Sequence, residues 1–102
     1  MALILNTIME KRIENEVVFY AKHRGYLVYK FNSPSNRSVP DRLFICPNGQ
    51  IKFIEFKGKG KLPTTMQAHT IEKMRDRGID VKVVDNITEG KKIIDEWLQS
   101  AA

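Results

Sequence analysis

The sequence predicts one α/β or α+β domain, a β-sheet packed by helices in the order α-β-β-β-α-β-α, on three observations. Three stretches carry apolar residues at helical spacing, four short runs are rich in β-branched and aromatic residues, and Gly and Pro punctuate the joins. No internal repeat or low-complexity linker interrupts them, so 1–102 is read as a single domain. A chain of 102 residues buries roughly two-thirds of the surface it exposes when unfolded, enough for one core.

Each element has its own signal. From about Asn6 to Arg24, Met9, Ile13, Val17, Tyr20 and Ala21 recur three and four apart, and Gly25 follows as a helix cap. Tyr26 to Phe31 has the composition of a strand, and Asn32 to Val39, with Ser, Pro and Asn, that of a loop. Arg42–Cys46 and Gln50–Lys57 are strand-like runs joined by Pro47-Asn48-Gly49, a hairpin signal. Gly58 to Thr64 is a basic loop, expected to be mobile, that leads into a helix over about Thr65 to Arg77, capped by Gly78. Ile79 to Val84 alternates as a strand. The last helix, about Thr88 to Gln99, gathers Ile93, Ile94, Trp97 and Leu98 on one side before a small polar tail.

Composition narrows the function. Hydrophobic residues at 42% and charged residues at 28% are the balance of a soluble globular protein, and no apolar run is long enough to span a bilayer. The opening Met-Ala-Leu-Ile-Leu lacks the parts of a signal peptide, so a cytoplasmic location is expected. One cysteine, Cys46, excludes an internal disulfide framework, and with two distant His residues it makes no zinc-finger pattern. Any metal must then be sought among oxygen ligands. Lys and Arg outnumber Asp and Glu by 17 to 12, a net charge of +5, which favours a polyanionic partner. The excess is local: Lys22, Arg24, Lys30, Arg37 and Arg42 surround the lone acid Asp41, and Lys52, Lys57, Lys59 and Lys61 surround Glu55.

The strand at Gln50–Lys57 carries the most chemistry. Period two puts Glu55 and Lys57 on one face, flanked by Ile54 and Phe56 on the other. In a central strand a carboxylate and an ammonium are costly to bury unless paired or holding a metal. The hairpin folds Asp41 back toward the Glu55 end. Two converging carboxylates beside a lysine can hold a hard divalent cation while the lysine assists a water and offsets charge on a phosphate, a recipe for phosphodiester hydrolysis. Glu-x-Lys alone is most often a surface ion pair; the specificity lies in its pairing with Pro40-Asp41 across a hairpin in a basic domain.

Pro40-Asp41, thirteen residues, then Glu55-Phe56-Lys57 resembles the PD-(D/E)XK nuclease motif. The acidic first helix with Glu10 and Glu14, the strand ending Lys30-Phe31, the loop into Val39-Pro40-Asp41 and Gln67 opening the next helix are similar to the VRR-NUC branch, from about Glu10 to Asp85. Ser38 stands where that branch usually has Gly before Val-Pro-Asp. The resemblance implies an α/β restriction-endonuclease-like core with a central mixed sheet. It implies Asp41 and Glu55 as metal ligands, with the Phe56 main-chain carbonyl, Lys57 as the catalytic lysine and Gln67 as the motif glutamine. Glu10 and Glu14 lie four apart and share a helix face, so either can be the helix acid; Glu14 is favoured by its eleven-residue spacing to Gly25. The cofactor expected is Mg²⁺ or Mn²⁺. Arg37, Arg42, Lys59 and Lys61 are the expected DNA contacts. Stand-alone members resemble structure-selective endonucleases acting as homodimers on branched DNA such as Holliday junctions, many of them from bacteriophages, which implies a bacterial host cytoplasm if this chain is phage-encoded.

The remaining features carry less. Gly58-Lys59-Gly60-Lys61 lacks the spacing and the Ser or Thr of a P-loop. His23 and His69 are expected at the surface, Cys46 in the core, and Trp97 in the core or an interface. Tyr26, Tyr29 and Phe31 are core candidates before they are base-stacking ones. The competing readings are a non-catalytic nucleic-acid-binding module, in which the acids are structural, and a restriction-type endonuclease, disfavoured by the lack of an evident base-reading element.

Overall fold

Ile13, Val17 and Ala21 repeat along one row of the first helix, and all three are buried, so this row sets how the helix lies on the sheet. The computed structural model describes residues 2–100; Met1 and the end of the small tail, residues 101–102, lie outside the described residues. The order is α1 (Ala2–Lys22), β1 (Leu27–Lys30), β2 (Arg42–Ile45), β3 (Ile51–Phe56), α2 (Thr65–Asp76), β4 (Val81–Val84) and α3 (Ile87–Gln99). It is the α-β-β-β-α-β-α order of an α/β domain. The strands form one mixed sheet in the order β1-β2-β3-β4. β1, β2 and β3 pair antiparallel, and β4 joins β3 in parallel after the α2 crossover.

Period-two alternation along β3 divides the core. Ile54 and Phe56 pack with Phe44, Val84 and the buried sides of α1 and α3, while Phe53 faces α2 with Ile71 and Val81. Trp97, Tyr26 and Phe44 meet edge-on or tilted, and Tyr26 donates its hydroxyl to the Ile94 carbonyl at 2.8 Å. Because α2 covers only the β3–β4 side, Leu27, Tyr29 and Ile51 stay more than half exposed.

Several boundaries differ from expectation for local reasons. α1 begins at Ala2 rather than near Asn6, and Met9, placed in its apolar stripe, is 40% exposed. The N-terminal part of this helix overhangs the sheet, so its apolar residues have little to cover. Gly25, at φ 89°, ends α1 with Tyr26 N–H donating to the Ala21 carbonyl, the six-to-one bond of a Schellman cap. At the hairpin only Gly49 is left-handed, at φ 90°, and Gly49 N–H closes on the Cys46 carbonyl. The connection is therefore the three-residue loop Pro47-Asn48-Gly49 expected between the two strand runs, closed with a single left-handed residue. The loop expected to be mobile is closed: Lys61 N–H donates to Gly58 at 2.9 Å and Gly60 N–H to Asp85 Oδ2 at 3.0 Å.

Gly90 on α3 marks the closest approach of α1, α3 and β4, because a Cβ there would overlap Val17, with Val84 also within close contact. Alanine ordinarily gains about 1 kcal/mol over glycine inside a helix, but overpacking against fully buried β-branched side chains costs about 1–3 kcal/mol. Gly90→Ala is therefore expected to lower the melting temperature. A rise in thermal melts followed by circular dichroism would mean that Val17 moves freely and the packing is looser than described.

Candidate active site

The antiparallel register of β2 and β3 pairs Arg42 with Ile54, and one step further brings Asp41 across from Glu55. Asp41 is anchored on both sides: its carbonyl accepts from Phe31 N–H at 2.9 Å, and its Oδ2 accepts from Phe56 N–H at 2.9 Å. Pro40 before it is buried and restricts Val39 to extended backbone on the way into the strand. Glu55 lies at the carboxyl end of the parallel β3–β4 pair, where open α/β sheets place their sites. It is 2% exposed, with Lys57 Nζ 3.2 Å from Oε2, and its Oε1 is buried with no hydrogen-bond partner.

The electrostatics are those of crowded acids. Burial raises the Glu55 carboxyl to about 7; Asp41 adds to the rise, and Lys57 opposes it without winning. Asp41 is raised by burial first, against the Phe56 amide, with Glu14 adding repulsion. Glu10 is raised too, by burial and then by Asp41, while Lys57 and the Gly58 backbone favour its charged form. Gly58 lets this happen: it is buried, and a Cβ on it would come within 3.2 Å of the Asn6 carbonyl, so the start of α1 sits directly on the chain leaving β3.

Glu14, the helix acid favoured by spacing, has its carboxylate in an ion pair. Arg42 Nε donates to Glu14 Oε2 at 2.6 Å, both side chains being about nine-tenths buried, and Lys11 lies 3.6 Å from Oε1. Both helix acids act on the strand acids: Glu14 adds to the rise at Asp41, and Glu10 adds to the rise at Glu55 while lying in the field of Asp41 and Lys57. The Glu14 ion pair occupies Arg42, expected as a DNA contact, whose side chain is 12% exposed. Lys59, Lys61 and Arg37 remain exposed. Gln67 is not turned toward the carboxylates: its Oε1 accepts from Thr64 N–H at 3.0 Å while Thr64 Oγ1 accepts from Gln67 N–H, a capping box. The Thr-x-x-Gln spacing carries that signal in the sequence itself. Also unforeseen is the buried Ser38, whose hydroxyl bonds Asn36 Oδ1 and lies 2.5 Å from Thr70 Oγ1.

Among the described residues no three His, Cys, Asp or Glu side chains form a ready-made ligand cluster. The two strand carboxylates nonetheless suit a hard divalent cation: they repel one another, both favour the proton more than usual, and one buried oxygen lacks any protein partner.

No family model matches the sequence. The chain is 39% identical over 82 residues to a protein named "Putative nuclease p44" of Acyrthosiphon pisum secondary endosymbiont phage 1, covering 80% of this chain and 88% of that one. It is similar to a solved structure described as a VRR_NUC domain, with a TM-score of 0.81 and 30% identity over 87% of this chain and 97% of that one. With both sequence and fold shared over most of their lengths, the chain belongs to the VRR-NUC family of nucleases in the PD-(D/E)XK superfamily.

Proposed function

We propose that this chain is a divalent-metal-dependent DNA endonuclease in which Asp41, Glu55 and the Phe56 carbonyl hold Mg²⁺ or Mn²⁺, Glu10 completes the acidic site and Lys57 assists the attacking water. The observation that carries this reading is Glu55, a buried carboxylate with one unsatisfied oxygen, opposite Asp41 and 3.2 Å from the Lys57 ammonium. When bound, the cation supplies positive charge at the phosphoryl oxygen and acidifies a water. The Phe56 amide fixes one oxygen of Asp41 and with it the carboxylate's place across from Glu55. Lys57, 14% exposed, is held at the site's edge by Glu55, where its ammonium can orient a water and offset charge developing on the phosphate. Lys59 and Lys61, exposed on the turn after β3, supply phosphate contacts beside it.

A branched DNA such as a four-way junction is the proposed substrate, and a homodimer with one site per subunit suits its two symmetric cuts. The phage relative supports a bacterial host cytoplasm as the setting. The test is cleavage of labelled four-way junction, flap, single-stranded and duplex DNA with Mg²⁺, Mn²⁺ or EDTA. Metal-dependent cutting that favours the junction is expected; binding without cutting under every metal supports the non-catalytic module instead.

Glu55→Gln and Asp41→Asn are expected to lower the cleavage rate at least ~100-fold while DNA binding is retained or tightened, since each removes a negative charge facing phosphate. Unfolding of both variants by circular dichroism would make these acids structural. The two helix acids separate cleanly. Glu10→Gln is expected to impair cleavage with little loss of stability, whereas Glu14→Gln keeps cleavage but costs about 2 kcal/mol, between the limits for surface and fully buried ion pairs, because Arg42 loses its partner. The opposite pattern would restore Glu14 to the site.

Metal-free stability should also depend on pH. The folded state keeps the Glu55 proton up to about 7, where the unfolded chain has released it above its ordinary value of 4.5. The unfolded state thus binds fewer protons across that window, and stability falls as pH rises through it, by on the order of 3 kcal/mol, then levels off. Asp41 and Glu10, also raised, act in the same direction; Lys57 opposes them. Thermal melts from pH 4.5 to 8 should show this decline, reduced in Glu55→Gln, and Mn²⁺ at pH 8 should raise the wild-type midpoint more than the variant's. Identical pH profiles for the two proteins would show that Glu55 is not the group responsible.

A further inference from the structure

Two grooves meet at Arg37. One, about 470 Å³, runs along the chain from Phe31 to Asp41 and so ends at the proposed metal site. The other, about 680 Å³, lies between the 33–38 loop and the first half of α2, and Arg37 lines both. The larger groove carries Arg37 and Lys73, with His69, and no carboxylate. That absence is selective, because the groove at the other end of α2 has Asp76 and the one beside Trp97 has Asp80 and Glu96. The first turn of α2 contains no acid either, so its positive dipole end adds to the field. The wall is built rather than incidental. Ser38, 8% exposed, ties the loop to α2 through Thr70 Oγ1 at 2.5 Å and to Asn36 Oδ1, which fixes the width of the trough three residues before Asp41.

A cationic, acid-free channel leading away from a phosphodiesterase centre suits one ligand class, the sugar-phosphate backbone of a nucleic acid strand. We propose that the trough between the 33–38 loop and α2 binds the backbone of the strand being cut, to one side of the scissile phosphate, with Arg37 and Lys73 contacting phosphates. The direction of the strand rests on the endonuclease reading; the binding does not. Ser38 is a positioning residue in this scheme, and Lys73 and α2 become part of the substrate surface.

The test separates the two. In a Glu55→Gln background, binding of fluorescein-labelled four-way junction is measured by anisotropy across a salt series, for the parent and for added Arg37→Ala/Lys73→Ala, Met66→Glu or Lys92→Ala. Met66 is an exposed residue on the trough lip, and Lys92 an exposed lysine on α3 outside it. The double variant is expected to bind roughly tenfold more weakly and to flatten the log–log salt slope by about two units, one per lost phosphate contact. Met66→Glu should also weaken binding, and Lys92→Ala should not. In the Glu55-intact enzyme, Arg37→Ala/Lys73→Ala should raise KM with kcat largely kept. Parent-like affinity and salt slope in the double variant, or an equal loss in Lys92→Ala, would overturn the trough. Failure of the Glu55-intact parent to cut any DNA would sink the endonuclease reading alone, since the binding comparison stands without it.

Discussion

Burying a carboxylate at the end of the central strand is the constraint around which this small domain is arranged. Glu55 is removed from water by the layers on both faces of β3, and a lone ammonium at 3.2 Å leaves one of its oxygens unsatisfied. A single buried, half-satisfied carboxylate costs stability that a domain of this size can ill spare, since total stabilities run to roughly 5–15 kcal/mol. The neighbours do not relieve it: Asp41 and Glu10 are both acids and both raise it further. An interior that served folding alone would put an apolar residue here, as the adjoining Ile54 and Phe56 do. The strain makes sense when a cation joins the site, because the groups that oppose each other without it then share a counter-charge.

The rest of the fold supplies the means of holding that strain in place. β2 and β3 carry Asp41 and Glu55 to one end by register, and β4 lies parallel to β3 because α2 returns the chain across the sheet. α1 contributes twice, covering the sheet with Ile13, Val17 and Ala21 and then overrunning its edge to bring Glu10 near Gly58. Glu14, one turn further on, is paired with Arg42, which offsets part of the repulsion it adds at Asp41. A guanidinium suits this task better than an ammonium, since it remains charged at any working pH and offers several donors.

The order of elements was legible because each signal is local: helical spacing, β-branched runs, and Gly at positions where the backbone turns left-handed. The strand acids were legible as well, since a hairpin of known pairing converts sequence distance into a position across a strand. What the sequence left open depends on the path of α1 over the sheet edge. Glu10 and Glu14 share a helix face, and spacing cannot say which meets Asp41 and which meets Arg42 until the helix is docked. The three-residue hairpin connection, by contrast, was legible, because Pro47-Asn48-Gly49 is what remains between the two strand-like runs ending at Cys46 and starting at Gln50. Gln67 is a like case: its capping-box spacing from Thr64 is present in the sequence, and the side chain is taken up by that cap.

The charge distribution follows the same logic as the site. The net charge of +5 attracts a phosphate backbone over the whole surface, yet the acids at the centre repel the one phosphate that must approach them. In the proposed scheme attraction and chemistry fall to different residues: exposed Arg37, Lys59, Lys61 and Lys73 would hold the strand, while the crowded Asp41, Glu55 and Glu10 would need a cation before a phosphate could sit among them. On that proposal the chain binds nucleic acid without metal and cuts it only with metal. Removing an inner acid then relieves repulsion and favours binding, and removing an outer cation weakens binding without touching the reacting bond.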